Sequence, residues 1–292
     1  MKAPAFWTED SLIVRLLSPF GWLYGQLTAW RMTRAGEVAA IPVVCVGNLT
    51  MGGAGKTPCV LMLAKALRKG GETPFVVSRG YGGRLEGPVL VDAATMIAAD
   101  CGDEPLLLVH HVPTIVSRDR LAGANLARQH GATIVLLDDG LQNPRLAKDF
   151  TVAVIDGGNP FGNGRCFPAG PLRAPISRQI ERIDCFLVIG TSEAASLSEQ
   201  LAHWRKPVFT AALQPDPAIV ETLRDKPLLA FAGIGRPAKF FRTLEDAGLA
   251  VLSTESFGDH HPYSMAEIEA LRRRAAAGGL TQRAKAGGVR LL

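Results

Sequence analysis

Short apolar runs alternate with amphipathic segments along most of the chain. An apolar run that is rich in β-branched residues is typical of a buried strand, and apolar residues spaced three and four apart are typical of a helix. The strand candidates are residues 41–47, 74–78, 114–117, 133–140, 151–156, 185–190 and 207–212. The helix candidates are residues 57–69, 103–111 and 119–130. This alternation predicts an α/β fold, a parallel sheet flanked by helices.

Proline-rich residues 214–227 predict a linker between two domains. Beyond it, residues 227–234, 237–247 and 250–257 predict a smaller β-α-β unit. We therefore expect an apolar N-terminal helix, a larger α/β domain and a smaller C-terminal α/β domain. Their expected bounds are residues 1–36, 37–213 and 214–292.

Residues 11–30 are strongly apolar and rich in aromatic side chains. Arg15, Pro19 and Gln26 interrupt them, so the sequence offers no uninterrupted apolar span of bilayer length. One interpretation is a helix that lies in a membrane interface, with its aromatic side chains at headgroup depth and the following arginines facing anionic lipid. The other is a helix that packs on the protein's own core. Both interpretations stay open at the level of the sequence.

Residues 44–58, VCVGNLTMGGAGKTP, join a strand candidate to a helix candidate. The strict phosphate-loop pattern requires glycine where this chain has Thr50. The later glycines still allow successive backbone N–H groups to turn inward, and the helix adds its positive N-terminal end. Lys56 can reach the outer phosphates, and the Thr57 hydroxyl can coordinate Mg²⁺. The segment predicts a P-loop nucleotide site formed by Thr50, Met51, Gly52, Gly53, Ala54, Gly55, Lys56 and Thr57.

The strand candidate at 133–140 ends on two adjacent aspartates, Asp138 and Asp139. Ligands of parallel sheets collect at the carboxyl ends of the strands, and a phosphate loop needs an acidic residue there to hold its metal. An Asp-Gly pair also marks ordinary turns. The neighbouring phosphate loop favours the metal role for both residues.

Two further segments carry residues that suit proton transfer. Asp103 and Glu104 precede an apolar helix, and Asp259, His260 and His261 lie in the expected smaller domain. A carboxylate that orients an imidazole raises its basicity, so such a pair can take the proton of a hydroxyl group. Each segment also has an ordinary interpretation, because an aspartate before a helix is most often a cap.

The net charge of +5 over 292 residues is mildly basic, well short of a nucleic-acid-binding tail, and it suits an anionic partner such as a phosphorylated substrate or an acidic membrane surface. The five cysteines contain no C-x-x-C pair, which argues against a metal or redox framework. Arginine is the preferred fork for phosphate and carboxylate groups. Several arginines lie near glycine-rich or turn segments, namely Arg79, Arg118, Arg120, Arg165 and Arg173.

Taken together, these segments resemble one family, the tetraacyldisaccharide 4'-kinases of lipid A biosynthesis. The matching segments occur in the family's order within residues 41–262. They read VGNLTMGGAGKTP, SRGYGG, GDEPLLL, DDGLQ, GNGRCFPAGPLR and FGDHH. The resemblance implies ATP-dependent, Mg²⁺-assisted phosphorylation of the 4'-hydroxyl of a tetraacylated glucosamine disaccharide 1-phosphate, giving lipid IVA. It also implies attachment to the cytoplasmic face of the bacterial inner membrane, and it implies neither a nucleic acid nor an obligate protein partner.

The resemblance further implies roles for individual residues. The catalytic residues would be Asp103, His260 and Lys56. The metal would be served by Thr57, Glu104, Asp138 and Asp139. The substrate contacts would be Arg79, Arg120 and Arg173.

The chain departs from the family's pattern in three places. Asn143 stands where the resemblance leads us to expect histidine, and Ala174 stands where we expect glutamate. After residue 280 the chain reads TQRAKAGGVRLL, where we expect a Thr-Thr-Glu-Lys-Asp segment and a longer tail. We interpret this end as a truncation or a shifted reading frame.

Two rival functions fit a phosphate loop. A regulatory NTPase would hydrolyse nucleotide to change partners, and the arginine-bearing loops argue against it. A membrane-associated protein inactivated by its altered C-terminus would bind ATP without turnover. An assay for a doubly phosphorylated lipid separates both from a kinase.

Overall fold

The computed structural model describes residues 4–190, 194–235, 237–258, 261 and 263–278. His260, Asp259 and the C-terminal segment 279–292 lie outside the described residues. The chain divides into two compact units, a larger unit of Pro4–Ala212 and a smaller unit that begins at Leu213. Each unit contains a sheet of its own.

Strands and helices alternate through the described part of both units. The strands are β1 (Val43–Gly47), β2 (Pro74–Ser78), β3 (Val89–Leu90), β4 (Thr114–Val116), β5 (Ile134–Asp138), β6 (Phe150–Asp156), β7 (Cys185–Ile189), β8 (Val208–Ala211), β9 (Leu228–Ala232) and β10 (Val251–Ser256). The helices are α1 (Leu12–Met32), α2 (Lys56–Lys69), α3 (Ala98–Cys101), α4 (Asp103–Leu108), α5 (Arg120–Gln129), α6 (Ile176–Ile180), α7 (Ala194–Ala202), α8 (Pro217–Leu223), α9 (Pro237–Asp246) and α10 (Met265–Ala277).

The larger unit is built on one sheet whose strand order is β3-β4-β2-β5-β1-β6-β7-β8. All neighbouring strands are parallel except β3, which runs antiparallel to β4. The prediction of an α/β fold with a mostly parallel sheet is therefore confirmed. β1 lies between β5 and β6, and Val46 pairs with Asp138. This register brings the loop after β1 next to the carboxyl end of β5.

The segment predicted as a linker contains a helix, α8, so that prediction was too simple. Asp216 caps it, because its Oδ1 accepts a hydrogen bond from the Ala218 N–H at 2.8 Å. Pro217 occupies the first helical position, where a missing N–H costs nothing. The same proline that suggested a break in the chain therefore begins a helix.

Helix α1 has one packed face and one exposed face. Its buried residues are Val14, Gly21, Gly25, Ala29 and Met32. The exposed apolar side chains are Leu12, Ile13, Leu16, Phe20, Trp22, Leu23, Leu27 and Trp30. Helix α1 therefore packs on the protein through one face, as one interpretation expected, and presents an apolar surface on the other. Its place in a membrane interface stays a prediction. Among the described residues, no helix combines the length and apolar character needed to cross a membrane.

The packed face of α1 rests on the glycine-rich loop of residues 157–175. A Cβ at Gly21 would lie 2.6 Å from the Cys166 carbonyl oxygen, and a Cβ at Gly25 would lie 2.8 Å from Cys166 Sγ. The Trp7 indole N–H, ahead of α1, donates to the carbonyl oxygen of the same loop at residue 168, at 3.0 Å. Small residues on α1 therefore allow close backbone approach to this loop.

The smaller unit pairs β9 and β10 in parallel. Phe241 of α9 packs with Ala230 and Ala232 of β9. At the start of α10, a capping box joins Ser264 and Glu267. His261 Nε2 lies 2.8 Å from Glu267 Oε1, which anchors this histidine to the helix start.

Candidate phosphate-binding site

The loop between β1 and α2 leaves open space where a phosphate cradle requires it. Gly52 has a φ of +107°, and a Cβ at Gly52 or Gly53 would meet no atom within 4 Å. Gly55, the residue that caps α2, has a φ of +89°. A Cβ at Gly55 would lie 2.6 Å from the Ile189 side chain at the end of β7. Glycine at 55 therefore serves both conformation and packing, and glycine at 52 and 53 keeps the cradle clear.

The first half of the loop explains why Thr50 can replace glycine. Thr50 forms an antiparallel bridge with Leu172. The Met51 N–H donates to the Pro171 carbonyl at 2.7 Å, and the Arg173 N–H donates to the Leu49 carbonyl at 3.0 Å. These strand-like contacts suit a β-branched residue, so the loop turns on its later glycines only.

Lys56 is held inside the site by two oxygen atoms. Its Nζ donates to Asn48 Oδ1 at 3.2 Å and lies 3.8 Å from Asp139 Oδ2. The side chain is 11% exposed, so the ammonium group faces the loop rather than bulk water. A charge in this position can reach phosphates that bind on the loop.

The two adjacent aspartates differ in their surroundings. Asp138 ends β5, and both its carboxylate oxygens are buried without a hydrogen-bond donor among the described residues. Burial raises the pKa of Asp138 to about 7, and the negative charge of Glu104 adds to this rise. Burial alone would also raise the pKa of Asp139, but Lys56 and Arg173 outweigh it and the pKa lies below its usual value.

Arg173 connects Asp139 to the phosphate loop. Its Nη1 and Nη2 each lie 3.0 Å from a carboxylate oxygen of Asp139, a bidentate pair. Its Nε donates to the Thr50 carbonyl at 3.1 Å. Asp139 has a φ of 57°, an uncommon conformation for a residue other than glycine, and this pair helps to hold it. In the described structure, Arg173 therefore supports the site from within.

Arg120 begins α5 and is only 3% exposed. Its Nη1 donates to the Ser117 carbonyl at 2.9 Å, whereas its Nε has no hydrogen-bond partner among the described residues. Burial lowers the pKa of Arg120, against the attraction of Asp138 and Asp139. Arg79 is exposed, and its charge also acts on the pKa of Arg120. Of the arginines singled out from the sequence, Arg120 and Arg173 therefore act on the two aspartates. Arg118 pairs with Glu86, and Arg165 pairs with Asp10.

Asp103 and Glu104 are the first two residues of α4. Asp103 is exposed, and its Oδ1 accepts a hydrogen bond from the Glu104 N–H at 3.0 Å. Because Glu104 acts on the pKa of Asp138, this helix start belongs to the same edge of the sheet. His260, the expected partner of Asp103, lies outside the described residues, so the catalytic pair stays a prediction.

Three buried or half-buried side-chain amides complete the site, and they were not predicted from the sequence: Asn48, Gln142 and Gln179. Gln142 Nε2 donates to the Asn48 carbonyl at 2.9 Å and to Gln179 Oε1 at 2.8 Å. Gln179 Nε2 donates to the Ala174 carbonyl at 2.6 Å. Asn48 and Gln142 stand inside the motifs that carry the resemblance, which was the available signal. Gln179 carried no such signal, because α6 lies next to the phosphate loop only in the folded chain.

The two departures at Asn143 and Ala174 are accommodated locally. The Asn143 N–H donates to the Gly140 carbonyl at 3.1 Å, and Asn143 Oδ1 accepts from the Arg145 N–H at 2.9 Å. Ala174 is fully buried. Both residues therefore have structural roles beside the site.

The chemistry of the donors bears on whether a metal fits. Among the described residues, no three His, Cys, Asp or Glu side chains group to hold a metal ion. A Mg²⁺ ion at a phosphate site commonly takes only one or two carboxylates and completes its shell with phosphates and water. Asp138, with two buried oxygens that accept no hydrogen bond from the described residues, fits that requirement.

Comparison with known proteins places this geometry in a family. The model of the tetraacyldisaccharide-1-P 4'-kinase family, LpxK, matches residues 13–282. The tetraacyldisaccharide 4'-kinase of Bradyrhizobium sp. (strain BTAi1) is 53% identical over 283 residues, 96% of this chain and 82% of that protein. The Methylobacterium nodulans enzyme of the same name is 51% identical over 284 residues, 96% of this chain and 84% of that protein.

A solved structure agrees with these relatives. The fold is similar to that of LpxK from Aquifex aeolicus in complex with ATP, with a TM-score of 0.70 and 27% identity. The similarity covers 87% of this chain and 84% of the Aquifex chain. The family expected from the sequence motifs is confirmed. This chain belongs to the tetraacyldisaccharide-1-P 4'-kinase family.

Proposed function

We propose that this protein transfers the γ-phosphoryl group of ATP to the 4'-hydroxyl of a tetraacylated glucosamine disaccharide 1-phosphate. The observation that carries the proposal is the cradle of Gly52 and Gly53 with Lys56 at its rim. The open space, the inward ammonium group and the helix N-terminus together favour a polyphosphate. The names of the curated relatives and the ATP complex of the Aquifex protein support the same substrate pair.

Asp138, Glu104 and the Thr57 hydroxyl would hold Mg²⁺ in this site. The ion supplies neutralisation of charge on the phosphates when it is bound. The protein's own contribution is to position the donors: Asp138 is fixed at the end of β5, and Lys56 is fixed at the start of α2. Phosphoryl transfer depends mainly on such positioning and on electrostatic stabilisation.

Asp103 is the described candidate for the group that accepts the proton of the sugar hydroxyl. It is exposed at the start of α4, beside the residue whose charge reaches Asp138. As the hydroxyl oxygen bonds to the phosphorus atom, its proton passes to the carboxylate, and ADP leaves with the electrons of the broken P–O bond. His260 would assist as the resemblance implies.

The assay that tests this proposal supplies radiolabelled ATP and an acylated disaccharide 1-phosphate. We expect a doubly phosphorylated lipid, and we expect Asp103→Ala to lower turnover by about 10²-fold. Asp246→Ala, at an exposed aspartate that ends α9, is the matched control for a lost aspartate. ATP hydrolysis without a labelled lipid would instead indicate a regulatory NTPase, and full turnover in Asp103→Ala would remove that residue from the mechanism.

The outer face of α1 supports attachment to a membrane surface. Leu16, Leu23 and Leu27 are among its exposed apolar side chains. Such a face, with arginines after it, suits the interface of an anionic bilayer. Changing these three leucines to glutamine should abolish co-sedimentation with anionic vesicles, whereas Leu252→Gln, at an exposed leucine of β10, should not. Unchanged co-sedimentation of the triple variant would contradict the membrane role.

A further inference from the structure

Asn48 is a fully buried polar residue directly after β1. Every polar group of its side chain has a partner within the phosphate loop. Oδ1 accepts from Lys56 Nζ at 3.2 Å, and Nδ2 donates to the Gly52 carbonyl at 3.1 Å. These two bonds fix the orientation of the amide, because each end can serve only one of the partners.

The position of Asn48 is itself secured from the core side. Its backbone carbonyl accepts a hydrogen bond from Gln142 Nε2 at 2.9 Å. The side chain therefore projects from a fixed strand end into the loop. It joins the lysine at the start of α2 to the glycine whose open side forms the cradle.

The two oxygen atoms that face Lys56 differ in charge. Asp139 is the charged partner at 3.8 Å, and it is shared with Arg173. Asn48 is the nearer partner at 3.2 Å, and it is neutral. A neutral acceptor orients an ammonium group without cancelling its charge, so the lysine keeps its attraction for an incoming phosphate.

We propose that Asn48 is a positioning residue, which holds the Lys56 ammonium in place for the phosphates and sets the Gly52 turn of the same loop. A free lysine side chain would lose rotamer freedom on binding the nucleotide, and the hydrogen bond to Asn48 removes much of that loss beforehand. This inference rests on the proposed function, since it assigns Asn48 a part in the same transfer.

Two substitutions at Asn48 separate the effect of an added negative charge from the effect of lost hydrogen bonds. Asn48→Asp keeps the size of the side chain and its acceptor, but it adds a negative charge beside the phosphates and removes the donor to Gly52. We expect the KM for ATP to rise at least tenfold in this variant, with a smaller change in kcat. Asn48→Ser is too short to bridge Lys56 and Gly52, and we expect kcat/KM to fall at least tenfold.

Asn125→Ala, at an exposed asparagine of α5, is the control and should match the wild type. The melting temperature and the binding of a fluorescent ATP analogue without lipid are measured for each variant.

A wild type that makes no lipid product contradicts the proposed function, whereas an active wild type lets the variants decide about Asn48. Values of KM and kcat/KM within twofold of the wild type in folded Asn48→Ser would overturn the inference, as would a loss that only follows the melting temperature. If Asn48→Asp does not fold, Asn48→Ser decides alone.

Discussion

Two glycine-rich loops of the larger unit use the same residue for opposite purposes. The phosphate loop, residues 47–55, keeps open space at Gly52 and Gly53. In the loop of residues 157–175, a Cβ at Gly170 would collide with Asn163 Oδ1 and with a backbone carbonyl. Glycine content alone therefore does not identify a binding site. The open space at Gly52 and Gly53 points to a ligand because the Lys56 ammonium and the start of α2 lie beside it.

The difference follows from what each loop must do. The loop of residues 157–175 fills the space between α1 and the phosphate loop, and Asn163 ties it together by donating to the Phe6 and Ala169 carbonyls at 3.2 and 2.9 Å. The phosphate loop is braced on one side by Leu172 and is clear on the other. One loop is a support, and the other is supported so that it can receive a ligand.

The largest effect should come from removing the positive charge of Lys56 beside the phosphate loop. Lys56→Ala removes the ammonium group and leaves Asn48 and Asp139 without it. We expect turnover to fall by about 10²- to 10³-fold or more, with the melting temperature nearly unchanged. The labelled-lipid assay measures the loss, and Lys65→Ala, at an exposed lysine of α2, is the control. Activity within a few fold of the wild type would contradict the role of this loop.

A substitution in the loop of residues 157–175 should lower the stability of the protein. Gly170→Ala forces a methyl group against backbone, and such overpacking should cost about 2–3 kcal/mol. A melting temperature lower by about 5–10 °C is expected for a unit of this size. Thermal unfolding measures the change. An unchanged melting temperature would show that the loop can open without cost, and the contrast between the two loops would fail.

The smallest effect should come from Gly53→Ala, which fills the open space of the phosphate loop. Gly53, like Gly170, has no left-handed φ, so the backbone conformation at both positions is one that alanine can adopt. The two positions differ only in the space around them. Gly53→Ala places its methyl group where nothing lies within 4 Å, so stability should stay within about 0.5 kcal/mol. The methyl group would crowd the phosphates, and we expect the KM for ATP to rise about tenfold, which corresponds to about 1.4 kcal/mol. Unaltered ATP binding would place the phosphates elsewhere.

Much of the fold follows from local pattern, and the sheet is the clearest example. β2 runs over residues 74–78 as the apolar run predicts, and α2 begins at Lys56, one residue before its expected start. Short elements such as β3 and α3 were not predicted, because two to four residues carry too little periodicity. The linker prediction missed α8, because its prolines act at a helix start instead of in a loop.

The candidate site was predictable where chemistry sits in a motif. The charges of Glu104, Lys56 and Asp139 all act on the pKa of Asp138, so these motif residues lie near one another, and their roles stay a prediction. What the sequence did not reveal were the long-range hydrogen bonds. Gln179 reaches the Leu49 carbonyl at 3.3 Å across 130 residues, and Arg173, expected as a substrate contact, donates to the Thr50 carbonyl of the phosphate loop. Such contacts depend on which elements become neighbours.

The central claim is that the loop between β1 and α2 holds the triphosphate of ATP for transfer. The most direct measurement is a crystal structure of the protein with a nonhydrolysable ATP analogue and magnesium. The account predicts the phosphates on the backbone N–H groups of Gly52–Thr57, with Lys56 Nζ reaching the outer phosphates while it keeps its hydrogen bond to Asn48. A nucleotide bound elsewhere, with the loop empty, would contradict it.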